Sequence, residues 1–125
     1  MSKLWLSLSA LFGLSGVVLG AFGAHALKAR LSLESLAIWK TGVEYQFYHA
    51  FALALVGLLI RQLGAGRLLD VAGACFATGV LVFSGSLYAL VLSDVRLLGA
   101  ITPIGGLLFI VGWALLLIAV LRAPA

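Results

Sequence analysis

Asparagine is absent from these 125 residues, and Asp and Glu together number only 4. Without asparagine there is no N-glycosylation sequon. The one cysteine, Cys75, has no intrachain disulfide partner and lies inside an apolar block, where it reads as a small packing residue. Charged side chains make up 10% of the chain, against about a quarter in soluble domains. What fills the space is apolar: 64% of residues are hydrophobic and the mean hydropathy is +1.24. These values exclude an ordinary soluble globule and point to an integral membrane protein. A net charge of +4 raises the question of nucleic acid. The cations Lys3, Lys28, Arg30, Lys40, Arg61, Arg67, Arg96 and Arg122 are dispersed between apolar blocks, however, as anchors that snorkel toward headgroups are. Membrane lipid, not nucleic acid, is the expected surrounding.

Hydrophobic runs set the organisation. The pattern predicts an all-α fold, four transmembrane helices in an antiparallel bundle forming a single membrane domain over 1–125, with spans at 4–24, 42–60, 69–92 and 98–121. The first run resembles a secretory leader, with Ala24-His25-Ala26 as a small-x-small cleavage site. It exceeds the usual apolar core of about 7 to 15 residues, and its small residues keep to one face, so it is read as a retained span. Between His25 and Lys40, Leu33, Leu36, Ala37 and Trp39 alternate with Lys28, Arg30, Glu34 and Lys40. A short interfacial amphipathic helix over 28–40 is expected, with Trp39 at headgroup depth. Thr41-Gly-Val-Glu44 has the form of a capping box opening the second span; the other reading is one long helix through Gly42. Thr102-Pro103 resembles an N-cap followed by proline in the first turn; a helix starting near Leu97 would instead be kinked at Pro103.

Small residues recur at alternating three and four spacing. Ser9, Gly13, Gly16, Gly20 and Gly23 do so in the first span, where Gly16-Val-Val-Leu-Gly20 is a GxxxG, and Gly79 heads a similar stripe in the third. With Gly105 and Gly106 they are the expected sites of close helix approach. Ser15–Leu27 also aligns without gaps on Thr78–Leu90, bringing Gly16 onto Gly79 and Gly42 onto Gly105, which suggests two related hairpins in parallel. Lys and Arg divide equally between the two faces. The compact, acid-free Arg61–Arg67 turn favours both termini on the cytoplasmic side.

Antiparallel connection would gather one polar face: His25, Glu44, Tyr45, Gln46, Tyr48, His49, Ser84, Ser86, Tyr88 and Thr102, with Asp94 in the adjoining turn. Polar groups in hydrocarbon are costly unless paired, so such a face is either a hydrogen-bonded network or a site open to water. Tyr45 and His49 lie one turn apart, as do Glu44 and Tyr48. Three readings follow. The first is a non-enzymatic accessory or oligomeric membrane protein, bound to itself or to a larger complex, with that face holding a partner or headgroup. The second is a small transporter or channel with Glu44, Tyr45 and His49 as an ion or proton path. The third is a metal or haem site through His25 and His49, for which no ligand spacing or attachment motif is present. No catalytic residue is assigned and no cofactor is expected, because no nucleophile has a partner at a recognisable spacing. Ser84-Gly85-Ser86 is not a nucleophile elbow.

Gly20-Ala-Phe-Gly-Ala-His-Ala-Leu27, Trp39-Lys-Thr-Gly-Val-Glu-Tyr-Gln-Phe-Tyr-His-Ala50, Phe83-Ser-Gly-Ser-Leu-Tyr88 and Leu98-Gly-Ala-Ile-Thr-Pro-Ile-Gly-Gly106 occur in that order. Together they resemble the YgdD/YwdK family of small inner-membrane proteins, a domain of unknown function with a vertebrate transmembrane relative. The resemblance covers nearly the whole chain. It implies a multi-span protein of the bacterial inner membrane and directs attention to the same polar face, and it carries no catalytic role.

Overall fold

Within a bilayer every backbone N–H and C=O must be paired inside the protein, so apolar runs of this length fold as helices. The structure, a computed structural model, describes residues 1–125 and contains four helices long and apolar enough to cross a membrane. Helix α1 (Ser2–Phe22) passes directly into a π-helical turn, Gly23–Leu27. Helix α2 (Leu33–Leu63) and helix α3 (Arg67–Ser93) are joined by three residues. A 3₁₀ turn (Arg96–Ala100) then leads into helix α4 (Thr102–Arg122). Gly64, at φ 91°, supplies the left-handed residue that reverses the chain after α2. Asp94, at φ 59°, does so after α3, where its N–H donates to the Leu90 carbonyl at 2.8 Å.

Each helix packs on its neighbour in sequence: α1 on α2, α2 on α3, α3 on α4. The apolar core includes Leu53, Val56, Ala72 and Phe76, all wholly buried, with Trp5 from α1 and Phe109 and Leu116 from α4 closing its edges. Half of the most apolar stretch of α2 is buried, against 17% for α1 and 22% for α4. The second helix is therefore the one the others are built around.

No separate interfacial helix occupies 28–40. Residues 33–40 are instead the first turns of α2, which runs unbroken through Gly42 for 31 residues. Its N-cap is Ser32, whose hydroxyl accepts from the Ser35 N–H at 3.1 Å. Thr41 does not cap; its hydroxyl donates to the Ala37 carbonyl at 3.0 Å, as a threonine inside a helix does. Trp39, expected among headgroups, is 3% exposed. Thr102 also fails to cap, since α4 is entered from a helical Ile101 and the Thr102 hydroxyl turns back to the Leu98 carbonyl at 3.4 Å. Pro103 does sit in the first turn of α4.

Glycine governs how closely the helices meet. A Cβ on Gly23 would lie 2.5 Å from the Trp39 ring, on Gly79 2.6 Å from Phe109, and on Gly16 3.0 Å from Phe47. Gly20 meets Val43 at 3.4 Å, so the GxxxG of α1 is covered by α2 of the same chain. Gly105 makes the tightest approach to backbone, its added Cβ 2.5 Å from the Phe83 amide nitrogen. Gly13 does not belong to this set, because it faces open space, and Gly106 has only ordinary contact at 3.9 Å. Four glycines outside the expected stripes behave like the tight ones: Gly42 against Tyr88, Gly57 against Leu6, Gly73 against Trp5 and Gly112 against Phe76. The internal alignment sets Gly23 and Trp39 of the first hairpin against Ser86 and Thr102 of the second. The first pair meets as a glycine under an indole ring and the second through a 2.6 Å hydroxyl hydrogen bond, so the two positions are in contact by different means.

Gly105→Ala is expected to cost about 1–3 kcal/mol, because the Phe83 backbone cannot yield to a methyl group. Gly13→Ala should be neutral or stabilising by up to about 1 kcal/mol, since it fills nothing and improves helix propensity. Unfolding in detergent followed by circular dichroism compares the two; equal losses would refute the contact account.

Candidate functional site

The polar residues of α2 resolve into two networks. Gln46, 3% exposed, centres the first. Its amide nitrogen donates to the Phe12 carbonyl at 2.9 Å and to the Ser15 hydroxyl at 2.8 Å, both on α1. Its amide oxygen accepts from the Tyr88 hydroxyl of α3 at 2.7 Å. One carboxamide thereby ties three helices. Gly16 makes this reachable, since the residue one turn beyond Phe12 has no side chain to shield that carbonyl. The Ser15 hydroxyl passes its own proton to the Leu11 carbonyl at 2.9 Å. Nearby, Ser84 donates to the Gly42 carbonyl at 2.7 Å while the Tyr88 ring lies over Gly42. Trp39 packs on Tyr88 with centroids 4.7 Å apart and donates its indole proton to the Leu19 carbonyl at 2.9 Å, where α1 gives way to the π turn.

His49 centres the second network, toward α4. The Trp113 indole N–H donates to its Nε2 at 3.1 Å, so Nε2 is the acceptor and Nδ1 carries the proton, which goes to the Tyr45 carbonyl at 2.8 Å. The imidazole lies flat on Phe109, centroids 3.5 Å apart and planes 6° from parallel, with the Phe76 ring 5.6 Å away. Tyr45 packs tilted against Phe83 with centroids 4.7 Å apart and meets Tyr48 edge-on at 5.5 Å. Beside them a lateral cleft of about 790 Å³ opens between α2 and α4, lined by Tyr45, Tyr48, His49, Phe83, Pro103, Gly106, Leu107, Phe109, Ile110 and Trp113. No hydrogen bond joins the His49 network to that of Gln46.

The anticipated polar face is thus divided. Gln46 and Tyr88 meet directly, and Ser84 binds alongside them. Ser86 and Thr102 form their own link between α3 and α4. His49 and Tyr45 share a backbone carbonyl. Glu44 is half-buried and joins neither network, and Tyr48 is 53% exposed. His25 is exposed on the π turn, away from the interior partners of His49. Both ring nitrogens of His49 are engaged by protein groups, and no three His, Cys, Asp or Glu side chains are placed to hold a metal ion. A metal at His49 would have to displace the indole of Trp113. Sequence reasoning missed Ser15, Trp39, Phe109 and Trp113 as partners. The available signal was that an indole N–H in a span needs an acceptor.

The sequence model of a family described as "Protein of unknown function (DUF423)" matches residues 19–106. A protein of Staphylococcus haemolyticus, named a UPF0382 membrane protein, is 44% identical over 120 residues, which cover 96% of this chain and 97% of that one. The UPF0382 membrane protein YwdK of Bacillus subtilis is 40% identical over 120 residues, 96% of this chain and 98% of the relative. No solved structure matches the chain.

A double-mutant cycle over Gln46→Leu and Tyr88→Phe is expected to give a coupling energy of about 0.6 kcal/mol, and at most about 1.7, as interhelical hydrogen bonds in membranes do. Nitrogen-15 spectra of labelled histidine should show one ring protonated at Nδ1, whose Nε2 resonance moves in Trp113→Phe. An Nε2 resonance indifferent to that substitution refutes the pairing.

Proposed function

The chain belongs to the DUF423 family of membrane proteins, whose function is unknown, and from that premise we propose that it is a non-enzymatic accessory subunit acting through association within the membrane. One observation carries this reading: the interior polar groups are used by one another. Gln46 spends both amide protons and its oxygen inside the bundle, and His49 spends both ring nitrogens. An ion or proton path needs groups that exchange partners along a continuous route. Here the networks are separate, and toward the Arg61–Arg67 turn the interior is closed by Leu53, Val56 and Phe76. The polar residues act as specific fasteners, which leaves the outer surface to carry function.

The cleft between α2 and α4 is the surface best suited to that role. Tyr45 and Tyr48 line it, each more than a third exposed, and neither hydroxyl has a partner within the chain. A transmembrane helix of another subunit can offer such hydroxyls an acceptor; a lipid tail cannot. The same reading places the protein in the bacterial inner membrane with both termini cytoplasmic. Support comes from bacterial relatives named membrane proteins, from helices in place of the barrel that outer membranes require, and from the basic turn between α2 and α3.

A photo-reactive residue replacing Tyr48 in cells should give one discrete protein adduct, weakened when Gly106→Leu narrows the cleft. Adducts to lipid alone would overturn the accessory reading. In proteoliposomes the pure protein should pass no protons above protein-free vesicles; a flux abolished by His49→Gln in folded protein would replace this reading with a transporter.

A further inference from the structure

A second cleft, of about 390 Å³, lies between the end of α1 and the start of α2. Its apolar part is formed by Gly20, Gly23 and Ala24 on one side and by Leu36, Trp39 and Val43 on the other. Small residues at the end of α1 (Gly20) and the start of the π turn (Gly23, Ala24) leave this side of the helix narrow beside α2. Lys28 and Lys40, both exposed, also line it. No carboxylate does: Glu44, one turn beyond Lys40, is outside the lining.

Lys28 is the first residue after the apolar stretch Ser2–Leu27, so this cleft lies at the boundary between hydrocarbon and headgroups and sets two cations beside an apolar slot. A ligand complementary to both is anionic at its head and apolar along its body. Soluble anions match the lysines and leave the slot empty; neutral lipids match the slot and leave two ammonium groups uncompensated. We propose that this cleft is a binding site for one anionic phospholipid, its phosphate between Lys28 and Lys40 and the start of one acyl chain against Ala24 and Leu36. The site is independent of the α2–α4 cleft and does not rest on the accessory reading. Trp39 fixes its wall, since the indole is held by the Leu19 carbonyl and the Tyr88 ring.

The test uses the full-length protein in nanodiscs of equal phosphatidylglycerol and phosphatidylcholine, released into a mass spectrometer under native conditions. Wild type should keep one phosphatidylglycerol in preference to phosphatidylcholine. Lys28→Gln with Lys40→Gln should lower that preference about fivefold or more, given the usual contribution of each interfacial cation. Ala24→Phe, which fills the slot and leaves both charges, should lower retention as well; Ala24 is exposed, so the substitution is tolerated by the fold. Absence of lipid preference in wild type overturns the proposal, as does unchanged preference in the lysine variant. Displacement of the lipid by glycerol phosphate alone also overturns it, since the site would then belong to a soluble anion.

Discussion

Helices surrounded by lipid gain little from hiding apolar surface, because the tails outside are as apolar as the side chains inside. What remains is close contact, and here it is supplied by rings lying on glycine: Trp5 on Gly73, Trp39 on Gly23, Phe47 on Gly16, Phe76 on Gly112, Tyr88 on Gly42 and Phe109 on Gly79. Each pairing lets a flat, polarisable surface meet bare backbone, which raises the number of atoms in dispersion contact. The hydrogen bonds depend on it. Gln46 reaches the Phe12 carbonyl only because α1 stands close at Gly16, and Ser84 reaches the Gly42 carbonyl across a contact that a methyl group at Gly42 would obstruct.

The architecture was plain in the sequence, since span length and hydropathy follow directly from bilayer thickness. The glycine contacts were half legible. Regular spacing identified Gly16, Gly20 and Gly23, but Gly13 shares the same spacing and touches nothing, while Gly42, Gly57, Gly73 and Gly112 lack the pattern and are tightly packed. The difference is the partner: a glycine matters where another helix brings a ring to it, and that ring comes from distant sequence. Of the two readings of α2, the one long helix through Gly42 holds and the capped start at Thr41 does not, for a similar reason. Thr41 to Glu44 satisfies a local capping rule, yet Ser32 had already begun the helix, and Gly42 is there for Tyr88.

The polar face was identified by residue type and misjudged in its connectivity. Spacing along α2 made two pairs one turn apart, Glu44 with Tyr48 and Tyr45 with His49, which suggested a single constellation. A helix presents its sides to different neighbours, however, and only tertiary packing decides that Gln46 turns to Ser15 and Tyr88 while His49 turns to Trp113. Trp113, in the middle of the fourth span, announced that its indole N–H needs an acceptor, but not that the acceptor is His49.

Neighbour-to-neighbour packing has a consequence for how the protein is made. Because each helix rests on the one synthesised just before it, the hairpin of α1 and α2 can close, and the Gln46 bonds to α1 can form, while the ribosome is still producing α3. His49 is different. Its Nε2 waits for Trp113 on α4, so the imidazole remains incompletely paired until that helix has been made. A chain stalled before α4 would carry a histidine with one ring nitrogen unpaired within the bilayer, a chemical mark by which an unfinished molecule differs from a finished one.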